Sequence, residues 1–319
     1  MTRFLKVFLR DQLGGRIHVA GFGKHPAWDD HIDDIGLATE TLVLTKQLLY
    51  SEGIASQLAS GAWDQIEKSG LAIEFDHRFV WGRNEQAIIG AIWASADRKG
   101  RTRFPLVICV QAGFDGPRAI GLFLAPLERL GALCREEKSQ AKIRDSINQT
   151  QEELNGGLFP SPGDALFSKT WHLGEASILS ALVTLSAGLR SRRPRGLTET
   201  PGAGGLHFRL ATISSQVKEN FSFWSGYLAR HHESSLPYVI IAANGRRWVD
   251  LIIGEPVPGD FFCLRANEYA LPVTWIGTEG ARLRKLEADA KDYLQTLRGG
   301  TVSPAAKQSH SWWTGLFRK

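Results

Sequence analysis

The chain is poor in sulfur and has no long apolar run. Three cysteines, Cys109, Cys134 and Cys263, stand among 319 residues. An odd count fits no disulfide framework, and their spacing matches no metal-binding motif. Cys109 and Cys263 lie in apolar stretches and read as small buried hydrophobes, so a reducing compartment is expected. No apolar stretch reaches the roughly eighteen residues of a membrane span. Arg3, Lys6 and Arg10 interrupt the apolar start, so neither a signal peptide nor stable membrane insertion is expected, and the cytoplasm is the default location. One methionine against ten tryptophans argues against an adaptable Met-lined groove. It favours a rigid aromatic core or aromatic contact surfaces.

Strong charge of either sign is also missing. The formal net charge is +5, and no basic stripe interleaved with aromatics marks a nucleic-acid surface. The basic cluster Arg190, Arg192, Arg193 and Arg195 is flanked by Pro194 and Gly196 and reads as a solvated loop. The apolar share of 43% and charged share of 22% are those of a soluble globular protein. The length allows one large or two ordinary domains.

Residues 16 to 36 organise the rest. A short strand, Ile17 to Phe22, breaks at Gly23, passes through Pro26 and enters four carboxylates, Asp29, Asp30, Asp33 and Asp34. Pro26 forbids a helix through itself and pushes His25 into an extended conformation. A phosphate-binding loop needs Gly, four residues, then Gly-Lys-Ser/Thr. Here Gly23-Lys24 is preceded five positions earlier by His18 and followed by His25-Pro26. The dinucleotide fingerprint fails as well, because Gly21-Phe22-Gly23 runs into Pro26 where the next glycine is needed.

Helical spacing covers 37–49, with a second short helix over 53–66 carrying Trp63. Residues 71–75 and 77–81 read as extended. The apolar runs 87–94 and 104–111 read as two buried strands, joined by the polar loop 95–103 into a hairpin. Helices are expected over 122–140, 141–154, 176–189, 215–228 and 283–297. Strands are expected over 206–213, and over 238–243 and 248–253 around the Asn244-Gly245 turn signal. Residues 260–264 read as a last short strand or helix start. Helices between strand groups predict an α/β fold, a three-layer α/β/α sandwich around one mixed sheet. The expected organisation is an N-terminal extension over 1–14, one α/β domain over 15–265, a peripheral C-terminal segment and helix over 266–298, and a disordered tail over 299–319. The tail's Trp312, Trp313, Leu316 and Phe317 are a possible docking element.

Three stretches carry a resemblance. Gly23-Lys24-His25-Pro26-Ala27-Trp28-Asp29-Asp30-His31 is similar to Gly-Lys-Leu-Pro-Ala-Arg-Gly-Asp-Phe. Residues Ser95 to Leu106, with Asp97-Arg98, Gly100-Arg101 and Phe104-Pro105, are similar to Ser-Val-Asp-Arg-Val-Gly-Arg-Tyr-Phe-Pro-Leu. Phe223-Trp224-Ser225-Gly226 resembles Trp-Trp-Thr-Glu-Gly. All three patterns belong to the TagF (ImpM) family of accessory proteins of bacterial type VI secretion systems. This chain departs from them at Trp28, Asp29 and His31 and by one inserted residue in the second loop, and 112–210 find no counterpart. The resemblance implies a divergent member with a TagF-like domain. It implies a three-layer α/β/α fold and a non-catalytic regulatory role by protein–protein binding, repressing secretion after translation. It also implies secretion-system partners that include a forkhead-associated-domain protein.

The residues offer two readings of function. Gly23, Lys24, Pro26, Trp28, Asp30, Asp97, Arg98, Gly100, Arg101, Pro105 and Trp224 form the expected binding or structural motif, with no catalytic residue, metal or cofactor. The two loops are expected to meet at one sheet end. Asp30 or Asp97 should lie within salt-bridge reach of Arg98 or Arg101, and Lys24 should line the same surface. Asp97 and Arg98 are read as a strut, and Lys24 and Trp28 as recognition. The alternative is a metal-dependent or acid/base enzyme using Asp29, Asp30 and His31, because carboxylate and imidazole are suitable ligands. Against it, adjacent aspartates can serve simply to cap a following helix. No Gly-x-Ser-x-Gly nucleophile elbow is present.

Overall fold

The computed structural model describes residues 15–83, 86–157, 171–191, 206–231, 237–274 and 281–298. Among them, seven strands make one sheet: β1 His18–Gly23, β2 Asp76–Arg83, β3 Gln86–Trp93, β4 Leu106–Ala112, β5 Leu206–Ala211, β6 Tyr238–Ala243 and β7 Trp248–Ile253. Their order is β1-β4-β3-β2-β6-β7-β5. Among the described residues, eight α-helices accompany them: α1 Glu40–Lys46, α2 Ala55–Ala59, α3 Ala62–Lys68, α4 Gly116–Glu136, α5 Gln140–Asn155, α6 Glu175–Ser191, α7 Val217–His231 and α8 Ala281–Arg298.

The expected mixed sheet is corrected. All six strand pairings are antiparallel. Sequence suggests parallel crossovers wherever helices separate strands, but a helical excursion can equally return the chain in the opposite direction. The stretch from α4 to α6 does so between β4 and β5, at opposite parts of the sheet. The joints β2–β3, β3–β4 and β6–β7 are hairpins, which fix antiparallel pairing. Gly245, with φ 69°, serves the last of them.

Alternate strand residues feed two buried clusters. Val19, Val80, Ile89, Val110, Ile240 and Leu251 pack with α4 to α8. Phe22, Phe79, Trp81, Ile88, Val107 and Ile241 pack with α1, α3, the π-helical turn Gln47–Ile54 and the 3-10 helix Pro258–Leu264. A sheet buried on both faces needs apolar residues at successive strand positions, which is why β3 and β4 read as continuous runs. Cys109, Cys134 and Cys263 are buried free thiols, and burial pushes Cys109 and Cys134 up to about 12.

Boundaries differ where caps decide them. α4 starts six residues before the predicted Leu122, because Asp115 accepts the Arg118 N–H at 2.9 Å and Pro117 presets the first turn. The predicted helix over 53–66 breaks at Gly61, with φ 71°. Residues 71–75 form only a bridge, Ala72 to Ala266, and 260–264 belong to the 3-10 helix. α8, expected to be peripheral, places Leu286, Ala290, Tyr293 and Leu294 in the α4–α8 cluster. The tail 299–319 and most of the basic cluster near Arg192 lie outside the described residues.

The edge strand β1 is covered along its outer side. The Asn155 side chain on α5 exchanges two 2.8 Å hydrogen bonds with the Ile17 backbone, and Gln151 accepts the Val19 N–H at 2.9 Å. Gly21 exchanges bonds of 3.0 and 3.1 Å with Ile35, and Gly23 accepts from Ile32 N–H at 2.7 Å. Side chains four apart on one helix thus take the place of a neighbouring strand, a device against edge pairing. Gln151→Ala/Asn155→Ala is expected to self-associate at concentrations where the wild type does not. Light scattering against protein concentration checks this; a monodisperse double variant would sink it.

Acid weakens this core in a defined window. Burial pushes His77 on β2 down to about 4, although Asp250 and Asp76 pull it upward. The unfolded imidazole, near 6.5, then binds protons that the folded one does not. Stability is therefore complete above pH 6.5 and declines as pH falls toward 4, by about 2 kcal/mol at pH 5. Urea midpoints at pH 7 and 5 should differ accordingly, and His77→Leu should shrink the difference.

Candidate functional site

The two motif loops leave the same end of the sheet. β1 and β4 pair with Gly23 opposite Leu106. The Lys24 N–H donates to the Pro105 carbonyl at 3.0 Å. Gly23 has φ 107°, and a Cβ there would stand 2.2 Å from that carbonyl oxygen, so only glycine lets β1 enter the turn. Pro26 is exposed and Pro105 is buried.

Asp97 is the centre. Its side chain is fully buried. Oδ1 accepts the N–H groups of Lys99 and Arg101, both at 3.0 Å, which closes its own loop. Oδ2 accepts from Lys24 Nζ and from Arg101 Nε, the latter at 2.6 Å. Burial alone would raise its pKa, but the Lys24 ammonium and the Arg101 donors outweigh it and hold the carboxyl well below the usual carboxylate range. Gly100, φ 77°, completes the turn by donating to the Asp97 carbonyl at 2.9 Å.

Around this centre, Lys24 Nζ also meets Asp30 Oδ1 at 3.1 Å, and Arg101 Nη2 reaches the same oxygen at 3.2 Å. Lys24 bonding and its positive charge hold Asp30 low. Arg98 ties the loops again, with Nη1 3.1 Å from Asp29 Oδ1 and Nη2 donating to the Ala27 carbonyl at 2.6 Å. The backbone joins in through Arg98 N–H to the Trp28 carbonyl, 2.8 Å. Lys24, Asp30, Asp97, Arg98 and Arg101 therefore lie together.

Roles differ from expectation for two residues. Trp28 is 4% exposed, its ring edge-on to His25. Lys24 is also 4% exposed. Neither can present itself to a partner; both are interior supports. The exposed members of the cluster are Asp30, Arg98 and Arg101, with side chains 62%, 57% and 51% exposed. Trp224 is fully buried on α7 against Phe223 and is a core residue.

His25 is buried and locked. The Ala27 N–H donates to its Nδ1 at 3.1 Å, so Nε2 carries the proton and donates to the Cys134 carbonyl on α4 at 2.8 Å. Burial lowers its pKa against the pull of that carbonyl and Glu137. The acidic stretch does not start a helix. It folds back along β1, and α1 is capped by Thr39, which accepts the Leu42 N–H at 3.1 Å. His31 lies 2.9 Å from Asp30, its ring against Tyr50 and Phe104. Asp29 and Asp30 are each held by cations, so the geometry lends the metal reading of Asp29, Asp30 and His31 no support.

A second polar centre escaped the sequence. Arg209 on β5 and Asp250 on β7 are paired across the sheet. They form two 2.8 Å bonds and are 1% and 3% exposed. The signal was present as Asp250 inside Trp-Val-Asp-Leu-Ile-Ile and Arg209 inside Leu-His-Phe-Arg-Leu-Ala, charges embedded in apolar strands.

No family model matches the chain, and no curated protein matches it. Among the described residues, no helix is long and apolar enough to cross a membrane.

Proposed function

We propose that this chain is a non-catalytic regulatory component of a bacterial type VI secretion system, acting by protein–protein binding through the loop between β3 and β4. The observation that carries this reading is the junction of the two loops that resemble TagF motifs. Buried Asp97 and Lys24 fix a frame, and Arg98, Lys99 and Arg101 stand on its exposed side. Surface ion pairs such as Arg98 with Asp29 contribute little to stability. A rigid loop that presents ion-paired arginines therefore suits recognition better than folding. In this reading the protein is a divergent TagF relative in the cytoplasm that represses secretion, and a forkhead-associated-domain protein is among its partners. The two buried clusters fed by alternate strand residues support a three-layer α/β/α arrangement.

The test uses Arg98→Glu/Lys99→Glu, which leaves the buried frame untouched. Wild-type protein immobilised in lysate of its native host should retain a secretion-system component, and the double variant should lose it at least tenfold with an unchanged melting temperature. Equal capture by both proteins, or capture of no such component, overturns the reading.

A further inference from the structure

The structure points to a second site, unrelated to the loop junction, at the edge of the sheet beside β5. We propose that His207, Asp250 and Cys263 bind a thiophilic divalent cation of the zinc class.

The three donors come from three elements, β5, β7 and the 3-10 helix, and one ligand atom from each lies within 4.8 Å of the other two. His207 Nε2 is already 3.1 Å from Asp250 Oδ1. A tetrahedral zinc centre with N, O and S donors sets its ligands about 3.3–3.7 Å apart. A cation therefore fits where the His207–Asp250 hydrogen bond now lies, with a small inward movement of the Cys263 side chain. Asp250 and Cys263 are buried, whereas the His207 side chain is 20% exposed, so the ion would enter past His207. Three protein donors leave the fourth position for water.

The surroundings match what such ligands need. A metal-bound histidine is usually oriented by a carboxylate facing its other ring nitrogen. Asp260 Oδ1 stands 3.8 Å from His207 Nδ1, and Asp260 is itself fixed by accepting the Val257 N–H at 2.8 Å. Asp250 is held from behind by Arg209, whose Nε and Nη2 take one acceptor position on each oxygen. The second position on Oδ1 is the one that the imidazole now uses and the cation would take. The nearby guanidinium does not forbid the ion, because two carboxylates and a thiolate balance a divalent ion and one arginine. Cysteine ligates such an ion as its thiolate. Binding therefore breaks the Cys263 S–H bond and releases that proton to solvent.

Titration of the full chain with Co2+ alone tests this. Wild type should develop visible bands and a sulfur-to-cobalt charge-transfer band, with one proton released per ion. Cys263→Ser should lose the charge-transfer band. His207→Gln, at the rim, should weaken binding at least tenfold while circular dichroism stays unchanged, and Asp260→Asn should weaken it about 10–100-fold. Zn2+ should displace the cobalt. No binding by the wild type at millimolar Co2+, or the same spectrum and affinity in Cys263→Ser and His207→Gln, overturns the proposal.

Discussion

Arg209→Met is expected to lower the midpoint of thermal unfolding by about 10 °C or more. The guanidinium ties β5, β7 and the strap after the 3-10 helix together at once. Besides Asp250 it reaches the carbonyls of Ala266, Asn267 and Leu271 at 2.9–3.0 Å and of Cys263 at 3.3 Å. Trp248 covers its face at 4.9 Å. Methionine fills similar volume but strands a buried carboxylate and several carbonyls. Removing one partner of a buried pair costs about 3–5 kcal/mol, and a domain of this size loses about 2–4 °C per kcal/mol. Asp250→Leu should cost a similar amount by stranding the arginine. The double variant Arg209→Met/Asp250→Leu separates the contributions. It should recover the charge penalty but leave residues 263–271 exchanging amide hydrogens faster than in wild type. A shift under about 3 °C for Arg209→Met would show that the strap is held by other contacts.

The second large effect belongs to the loop junction. Lys24→Met should lower the melting midpoint by about 6–10 °C, by the same penalty for a buried charge left without its partner. Asp97→Asn should behave almost as badly despite its identical shape. The amide can still accept the N–H groups of Lys99 and Arg101, but its NH2 then faces the Lys24 and Arg101 donors. Arg98→Ala should change stability little, since its side chain is mostly in water. The pH dependence has a definite sign. The folded Asp97 carboxyl lies below its unfolded value, so its contribution is complete above about pH 4 and is lost as pH falls further. That loss lies below the His77 window, so acid unfolding should weaken the protein in two successive ranges. Melting curves of the three variants between pH 3 and 8 check both points. A Lys24→Met protein as stable as wild type would mean that Asp97 is satisfied by Arg101 and the loop amides alone.

Local pattern determined much of this protein. Apolar runs or alternating patterns marked the seven described strands, helical spacing marked the long helices, and Asn244-Gly245 marked a hairpin. Gly23, Pro26, Asp97 and Gly100 marked the two turns, because backbone geometry there permits few residue types. Three things were decided only in the tertiary structure. Strand direction was one, since a helical connection has the same periodicity whether the chain returns parallel or antiparallel. The second was which motif side chains face water. Trp28 and Arg98 both sit in polar loops, and the packing of α4 and α5 against β1 and its turn buries the first and leaves the second in solvent. The third was the Arg209–Asp250–His207–Cys263 group. Its members lie up to 56 residues apart in the chain, and only the register of β5 against β7 and the closing 3-10 helix bring them within bonding distance. Period and propensity act over a few residues, whereas a buried charge is tolerated only where the whole fold delivers its partner.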